Sequence, residues 1–396
     1  MPFRSLIAAA LTIGSVAQCL AQSAPATRPG TSLATRHQAQ ALIDRGADFL
    51  LSTQSRRGGW GPDDAPGVSA IVLKALIQTP AIGPRHPAVE RGLERLLNSR
   101  RDDGGIYSSG GTYKNYESAI VLSMFAAIRE TSPVSARRFE PLIRELQQFL
   151  KSNQWDESEQ KPESDPFYGG AGYGRGRRPD LSNTQFMLEA LHDSGLPQDD
   201  PAYKKALLFI QRCQMRGESN DQPFARGSID GGFIYSTAGG GESKAGTVTI
   251  DGRDQLRTYG TMTYAGFKSL VYCGLAKDDP RVAAAWDWIT RNWTLDANPN
   301  MPDRQSQEGL FYYYHVFARA LQANGESLVR DRLGREHDWR AELIAKLAAL
   351  QRSDGSWVNR AGRWMESDPT LATAYALLAL EAALDEPHAV APASRP

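Results

Sequence analysis

Polar and aromatic side chains gather at four places in the 396-residue sequence: Tyr116 with Glu117; Arg175, Arg177 and Arg178 with Asp180; Asp254 and Arg257 with Tyr259; Trp364 with Glu366. Acids, guanidinium groups and phenols so close together suit a polar or anionic head group; the alternative is a solvated rim. A polysaccharide-cleaving site would need a basic Arg or Tyr beside paired carboxylates, which Arg257 and Asp254 meet only loosely. Tyr264, Tyr312, Tyr314 and Tyr375 lie on apolar runs and either line an apolar cavity or fill a core. His315 stands alone on its apolar run, which fits a core residue.

The elements that must position these residues come in pairs. Segments such as Leu42–Leu50, Val89–Leu97 and Leu343–Leu350 are apolar on one face and charged on the other, the pattern of a surface helix. The partners "SAIVLSMFAAI" (118–128) and "LATAYALLAL" (371–380) carry no charge, and 69–77 and 259–272 carry one lysine each. A helix apolar all round must be surrounded by other helices. Between the two kinds lies a glycine followed by a bulky apolar residue, in "QSRRGGWG", "DDGGIY", "GGAGYG", "IDGGFIY", "QEGLFYY" and "RSDGSWV". Taking Trp60, Ile106, Tyr173, Phe233, Leu310 and Trp357 as equivalent gives six outer–inner pairs. Pro with a preceding Asp marks the start of several helices, as at Asp200, Asp279 and Asp368.

Six inner helices are covered on all sides if they close into a ring inside the outer six, whereas an open solenoid would leave one side of each bare. The expectation is an all-α (α/α)6 toroid over residues 38–384. An insertion at 214–256, whose halves alternate about "GGG", reads as a β-hairpin over the mouth. All inner-helix N-termini then point at one mouth, where their dipoles favour an anionic or polar group. Cys213 and Cys273 fall in the last turns of antiparallel neighbours, roughly 20 Å apart at 1.5 Å per residue, and are expected to be free, buried thiols.

Forty-five basic residues balance forty-five acidic ones, so no net field draws nucleic acid. Residues 1–21 have one Arg, an apolar run and small residues, the layout of a secretory signal peptide, with 22–37 a linker and 385–396 a tail. The expected product is exported to the periplasm or outside the cell, is a monomer and has no membrane span after processing.

The glycine repeats, above all "LAALQRSDGSWV" followed by "DPTLATAYALLAL", resemble the QW-type repeats of squalene cyclases and protein prenyltransferase β subunits over roughly residues 38–384. The resemblance implies the toroid and an apolar or isoprenoid-like ligand. "MESDPTLATAY" falls where triterpene cyclases carry an Asp-rich motif whose carboxylic acid, kept protonated by a neighbouring carboxylate, protonates an alkene. Glu366, Asp368 and Thr370 match it, and Pro369 replaces an acid. On this resemblance Asp368 is the acid and Glu366 its neighbour; on the residues alone Asp368 caps the last inner helix. The segment around His315 is similar to the one that gives prenyltransferases a zinc ligand, but no Asp-x-Cys accompanies it, so neither metal nor cofactor is expected. The expected ligand-binding residues are Tyr116, Glu117, Asp180, Asp254, Arg257, Tyr259, Tyr264, Tyr312, His315, Trp364 and Tyr375. The competing class is a non-catalytic interaction protein holding a peptide or glycan at the mouth.

Overall fold

The computed structural model describes residues 31–174, 176–250 and 252–385. The expected signal peptide, most of the linker, Arg175 and residues 386–396 of the tail lie outside the described residues. Among the described residues thirteen α-helical segments follow in order: α1 (Leu33–Ser52), α2 (Pro66–Gln78), α3 (Pro87–Leu97), α4 (Lys114–Thr131), the short α5 (Pro133–Ala136), α6 (Glu140–Ser152), α7 (Leu181–Asp193), α8 (Pro201–Cys213), α9 (Gly260–Tyr272), α10 (Pro280–Arg291), α11 (Leu310–Asn324), α12 (Trp339–Leu350) and α13 (Pro369–Leu384). The first helix starts at Leu33 rather than 38, because the Ser32 hydroxyl accepts from Thr35 N at 3.1 Å and caps it.

Helices α2, α4, α7, α9, α11 and α13 form the inner ring, each packed on the next, and α13 packs on α2. The toroid is closed. Residues 69–77, 118–128 and 371–380 are buried almost throughout, and each buried Leu or Ile there contributes about 1.5–3 kcal/mol. The outer helices bury one stripe, as in Leu42, Ile43, Ala47 and Leu50 of α1. Closure is tight: a Cβ on Gly46 would lie 2.8 Å from Leu377 and 2.9 Å from Trp357.

The repeat is a hydrogen-bonded clamp. Gln54 Nε2 donates to Gly58 O and, in the next outer helix, to Ala88 O, both at 2.8 Å. Gln154, Gln214 and Gln351 do the same, the last bridging Gly355 O and Leu42 O across the ring closure. In five of the six copies an apolar residue just after the glycine turns its backbone N–H onto a Ser or Thr in the first turns of the inner helix: Trp60 on Ser69, Ile106 on Ser118, Ala171 on Thr184, Phe233 on Thr263 and Trp357 on Thr373. Both tryptophans send Nε1 to a carbonyl of the last turns of the preceding outer helix, Leu50 O or Leu347 O, which also accepts from the C-cap residue Thr53 or Gln351.

Two assignments of the repeat shift. The third copy centres on Ala171, not Tyr173. In the fifth, Gly309 is the N-cap of α11 and Leu310 its first residue. The clamp position there falls near Thr294 and Leu295, whose carbonyls accept from the Tyr313 and Tyr314 hydroxyls at 2.8 Å. The insertion does hold a hairpin, β1 (Thr247–Ile250) with β2 (Arg253–Leu256), but its strands pair out to Ile250 and Arg253 and do not flank the triple glycine. Gly239–Gly241 all have positive φ and make a tight reversal instead. A second hairpin, β3 (Leu328–Arg330) with β4 (Glu336–Asp338), joins α11 to α12.

Both described cysteines are free, but Cys273 is half-buried rather than buried. Its thiol contacts Tyr203 O at 3.5 Å, near the start of α8, whereas Cys213 ends that helix, roughly 15 Å away at 1.5 Å per residue.

Candidate functional site

A cavity of about 340 Å³ opens where the six inner helices begin. Its lining takes at least one residue from each of those beginnings, among them Val68, Glu117, Ser182, Met262, Tyr312 and Leu371. Tyr116, Phe186, Tyr312 and Tyr375 form its floor. Phe186 stands edge-on to Tyr116 at 5.2 Å between centroids and stacks on Tyr312 at 5.6 Å. Tyr312 leans on Tyr375 at 5.7 Å, and the Tyr375 and Tyr116 hydroxyls lie 3.4 Å apart, which completes a four-ring septum across the bore. Ser182 and Gln185 bond the Tyr312 hydroxyl at 3.1 Å each and fix the ring. Burial pushes the Tyr116 phenol up to about 12, so the floor is uncharged at neutral pH.

The rim carries Tyr113, Tyr173, Tyr235, Tyr259 and Trp364. Trp364 is 42% exposed and sits at φ 57°, a strained position for a bulky side chain, against Gly309. Lys244, from the insertion, lies 4.3 Å over the Tyr235 ring.

Helix dipoles lead one to expect bare, positive N-termini at this mouth. The chain has already answered them. Glu366 accepts from Tyr312 N at 2.7 Å, Phe311 N at 3.2 Å and Asn359 Nδ2 at 2.7 Å, so it caps α11, whose own N-cap Gly309 has no side chain to offer. Burial pushes its carboxyl up, and these donors oppose the rise. Glu117 is raised for the same reason, although Ser108 holds it through N at 2.8 Å and Oγ at 3.0 Å. Asp180 caps α7 through Asn183 N at 2.8 Å and is pushed by burial up to about 6. At α9, Asn298 Oδ1 accepts from Thr261 N at 3.0 Å. At α4, Tyr173 O accepts from Asn115 N at 3.1 Å. An anionic head group therefore finds the ends of α4, α7, α9 and α11 already bonded, and the mouth is an aromatic bowl backed by hydrogen-bonded carboxylates.

The sequence-derived residues divide accordingly. Tyr116, Glu117, Tyr259, Tyr312, Trp364, Glu366 and Tyr375 meet at the cavity. Asp180 lies beside it as a cap. Asp254 is exposed on β2, bonded to Thr249 Oγ1 at 2.6 Å, and Arg257 sits half-buried at the foot of the hairpin; neither lines the cavity. The loose Arg257–Asp254 pairing thus supplies no site. Tyr264 is core, packed on Tyr313 and Phe317. His315 lies beneath the septum, 5.7 Å from the Tyr375 ring. Phe186, Tyr235 and Lys244 were not expected. Phe186 was legible as the aromatic one turn after Ser182 on an inner helix, but the other two sit in an insertion with no helical register.

Asp368 is the N-cap of α13, accepting from Thr370 N at 2.8 Å, and is outside the cavity lining. Its carboxylate is engaged by the helix it caps. Asp368→Ala should cost about 1 kcal/mol in denaturant unfolding and Asp368→Asn only a few tenths, because Asn keeps the capping oxygen. Equal losses for both would mean that the carboxylate charge matters. Among the described residues, no three His, Cys, Asp or Glu side chains converge as metal ligands.

No protein-family model matches the sequence, and no curated protein matches it either. Solved structures share the fold. A protein from Actinoplanes is 18% identical with a TM-score of 0.50, over 88% of this chain and 100% of that one. The type II terpene cyclase MstE from Scytonema, as a variant in complex with its substrate geranylgeranyl dihydroxybenzoate, is 13% identical with a TM-score of 0.53, over 89% and 99%. An inactive variant of an α-1,6-mannanase of Salegentibacter in complex with α-1,6-mannotriose is 9% identical with a TM-score of 0.56, over 88% and 100%. At these identities the likeness is one of fold: the chain is an α/α toroid of the architecture found in terpene cyclases and in this mannanase.

Proposed function

We propose that the chain is an exported, monomeric toroid whose aromatic mouth binds a compact apolar molecule of isoprenoid type. The observation that carries this reading is the four-ring septum with its apolar and aromatic walls, enclosing about 340 Å³, at the low end of the roughly 300–1,000 Å³ usual for small-molecule sites. The substrate-bound terpene cyclase of the same fold lends support. Acid-initiated chemistry has less behind it. Asp368 is used as a cap and Glu366 is committed to the α11 amides, so the reading is of binding rather than turnover. Export rests on the layout of residues 1–21.

The rival reading is a glycan held on the tyrosine rim. It draws on the phenol-rich wall, which can stack on sugar rings, and on the mannotriose-bound neighbour. Titration of the tryptophan fluorescence, with Trp364 at the rim as reporter, separates the two. Farnesol should bind saturably and more tightly than squalene, which is too long for the cavity, and Tyr312→Ala should weaken farnesol at least tenfold. Saturable binding of mannotriose with none of farnesol would replace the apolar reading. Cyclised product from either isoprenoid, lost in Asp368→Asn, would restore a catalytic one.

A further inference from the structure

Beneath the septum lies a second, larger cavity of about 580 Å³, opening where the inner helices end. A void of about 20 Å³, bounded by Phe186 and Tyr375 above and by Lys74, Glu189 and His315 below, separates it from the aromatic mouth. The charges under the floor are not evenly matched. Glu189 bonds Lys268 directly and takes Arg319 Nε at 3.0 Å, while Lys74 Nζ stands 3.6 Å away. Asp193 takes Arg319 Nη2 at 2.8 Å. Two carboxylates thus serve three cations, and Lys74, only 8% exposed, donates to the Ser123 hydroxyl at 2.6 Å instead.

Of the other acids that line the cavity, Glu130 and Asp385 are exposed and Glu381 is not. Glu381 Oε1 accepts from Thr79 Oγ1 at 3.2 Å, and its buried Oε2 meets no partner. Burial pushes this carboxyl well above the usual range, against the pull of Lys74, which favours its neutral, hydrogen-bond-donating form. His315 Nδ1, in a residue 4% exposed, also lacks a partner. Opposite these polar groups the wall is aliphatic: Ile43, Leu378 and Leu384.

We propose that this lower cavity is a second binding site, for a medium-chain organic carboxylate whose head group pairs with Lys74 and whose body lies along Ile43, Leu378 and Leu384. A buried ammonium without its own counter-ion gains most from one negative charge, and the neutral acid and imidazole beside it offer further hydrogen bonds. The inner helices end here, and their carbonyl ends favour cations, so an ammonium amphiphile is the competing ligand. Against it, the full charge at the buried end of the cavity without a carboxylate of its own is already positive, whereas the carboxylates of Glu130 and Asp385 are exposed.

Isothermal titration of the full chain with octanoate, octanol and octylamine, which share one apolar body, tests the head-group assignment without any substitution. Octanoate should bind one to one and at least tenfold more tightly than either other probe. Lys74→Met, which keeps the aliphatic stem, should erase that preference. Leu384→Glu, at the half-buried end of α13, should weaken octanoate by a similar factor and serves if the lysine variant does not fold. Octylamine binding most tightly, equal affinity for all three probes, no saturable octanoate binding, or octanoate binding unchanged in a folded variant would each overturn the proposal.

Discussion

Gly169→Ala is expected to destabilise the toroid by about 3 kcal/mol or more, the largest loss of any single methyl addition at a loop glycine. Gly169 has φ 83°, and a Cβ there would lie 1.7 Å from Lys205 O in the backbone of α8. Two terms add. The left-handed conformation costs a non-glycine residue roughly 1–2 kcal/mol, and the clash is with a helix backbone that cannot rotate away. Relief would require α8 to move off the loop, which would pull Gln154 from its bonds to Gly169 O and Ala202 O. Gly83 is the control, because its φ of 69° carries the first cost while nothing lies within 4 Å of its Cβ position. Gly83→Ala should therefore lose only about 1–2 kcal/mol. Denaturant unfolding of both variants checks the difference; equal losses would mean that the close approach to α8 contributes nothing.

That close approach explains why the repeat was legible in the sequence although its phase was not. Glutamine, glycine and a bulky residue recur because the glutamine amide joins two carbonyls of neighbouring repeats and the bulky side chain fills the gap between helices. Where a side chain of another type does the same work, the pattern vanishes from the sequence. In the third copy Ala171 takes the inward place, and the conspicuous Tyr173 two residues later goes to the rim. In the fifth, tyrosine hydroxyls reach the carbonyls of Thr294 and Leu295, and "EGLFYY" resembles the motif only because Gly309 supplies a left-handed N-cap.

The site was legible to a similar degree. Residues in the first turns of inner helices, such as Tyr116, Glu117, Tyr312 and Tyr375, follow from helical register once the ring is drawn. Whether an aromatic faces the bore or a neighbouring helix depends on rotation about the helix axis. A helix apolar on every side gives no signal for that rotation, which is why Tyr264 was counted with the wall and Phe186 was not. The carboxylates misled for another reason. Read one at a time, Glu366 and Asp368 look like a catalytic pair, but the partner that occupies Glu366 is the N-terminus of α11, more than fifty residues earlier in the chain.

The same long-range pairing makes Glu189 the most consequential charge in the molecule. It lies under the septum, 3% exposed, between Lys268, Arg319 and Lys74. Burial alone would raise its carboxyl, but the three cations overcome burial and hold it well below the usual range, so it stays ionised. Glu189→Gln keeps the shape and removes the charge, leaving Lys268 buried with no matched carboxylate. Breaking one partner out of a buried pair costs about 3–5 kcal/mol, and that is the loss expected at pH 7. The sign of the pH dependence follows from the depressed native value. A carboxylate ionised more readily in the folded than in the unfolded state contributes fully above its unfolded pKa, near 4.5, and loses the contribution as pH falls through the lower native value. Asp180, raised to about 6, acts with the opposite sign: the folded state loses stability as pH rises from about 4 to 6. The gap between wild type and Glu189→Gln should therefore be full at pH 7 and narrow below about pH 4, with Asp180 cancelling because both proteins carry it. Urea unfolding of the two proteins across that range is the measurement. A gap that stays constant down to pH 3 would mean that Glu189 contributes through shape and hydrogen bonding, with its charge irrelevant to the fold. A gap that closes on acidification would place the ionised Glu189 at the centre of the cationic cluster beneath the septum, the cluster that leaves Lys74 without a counter-ion of its own.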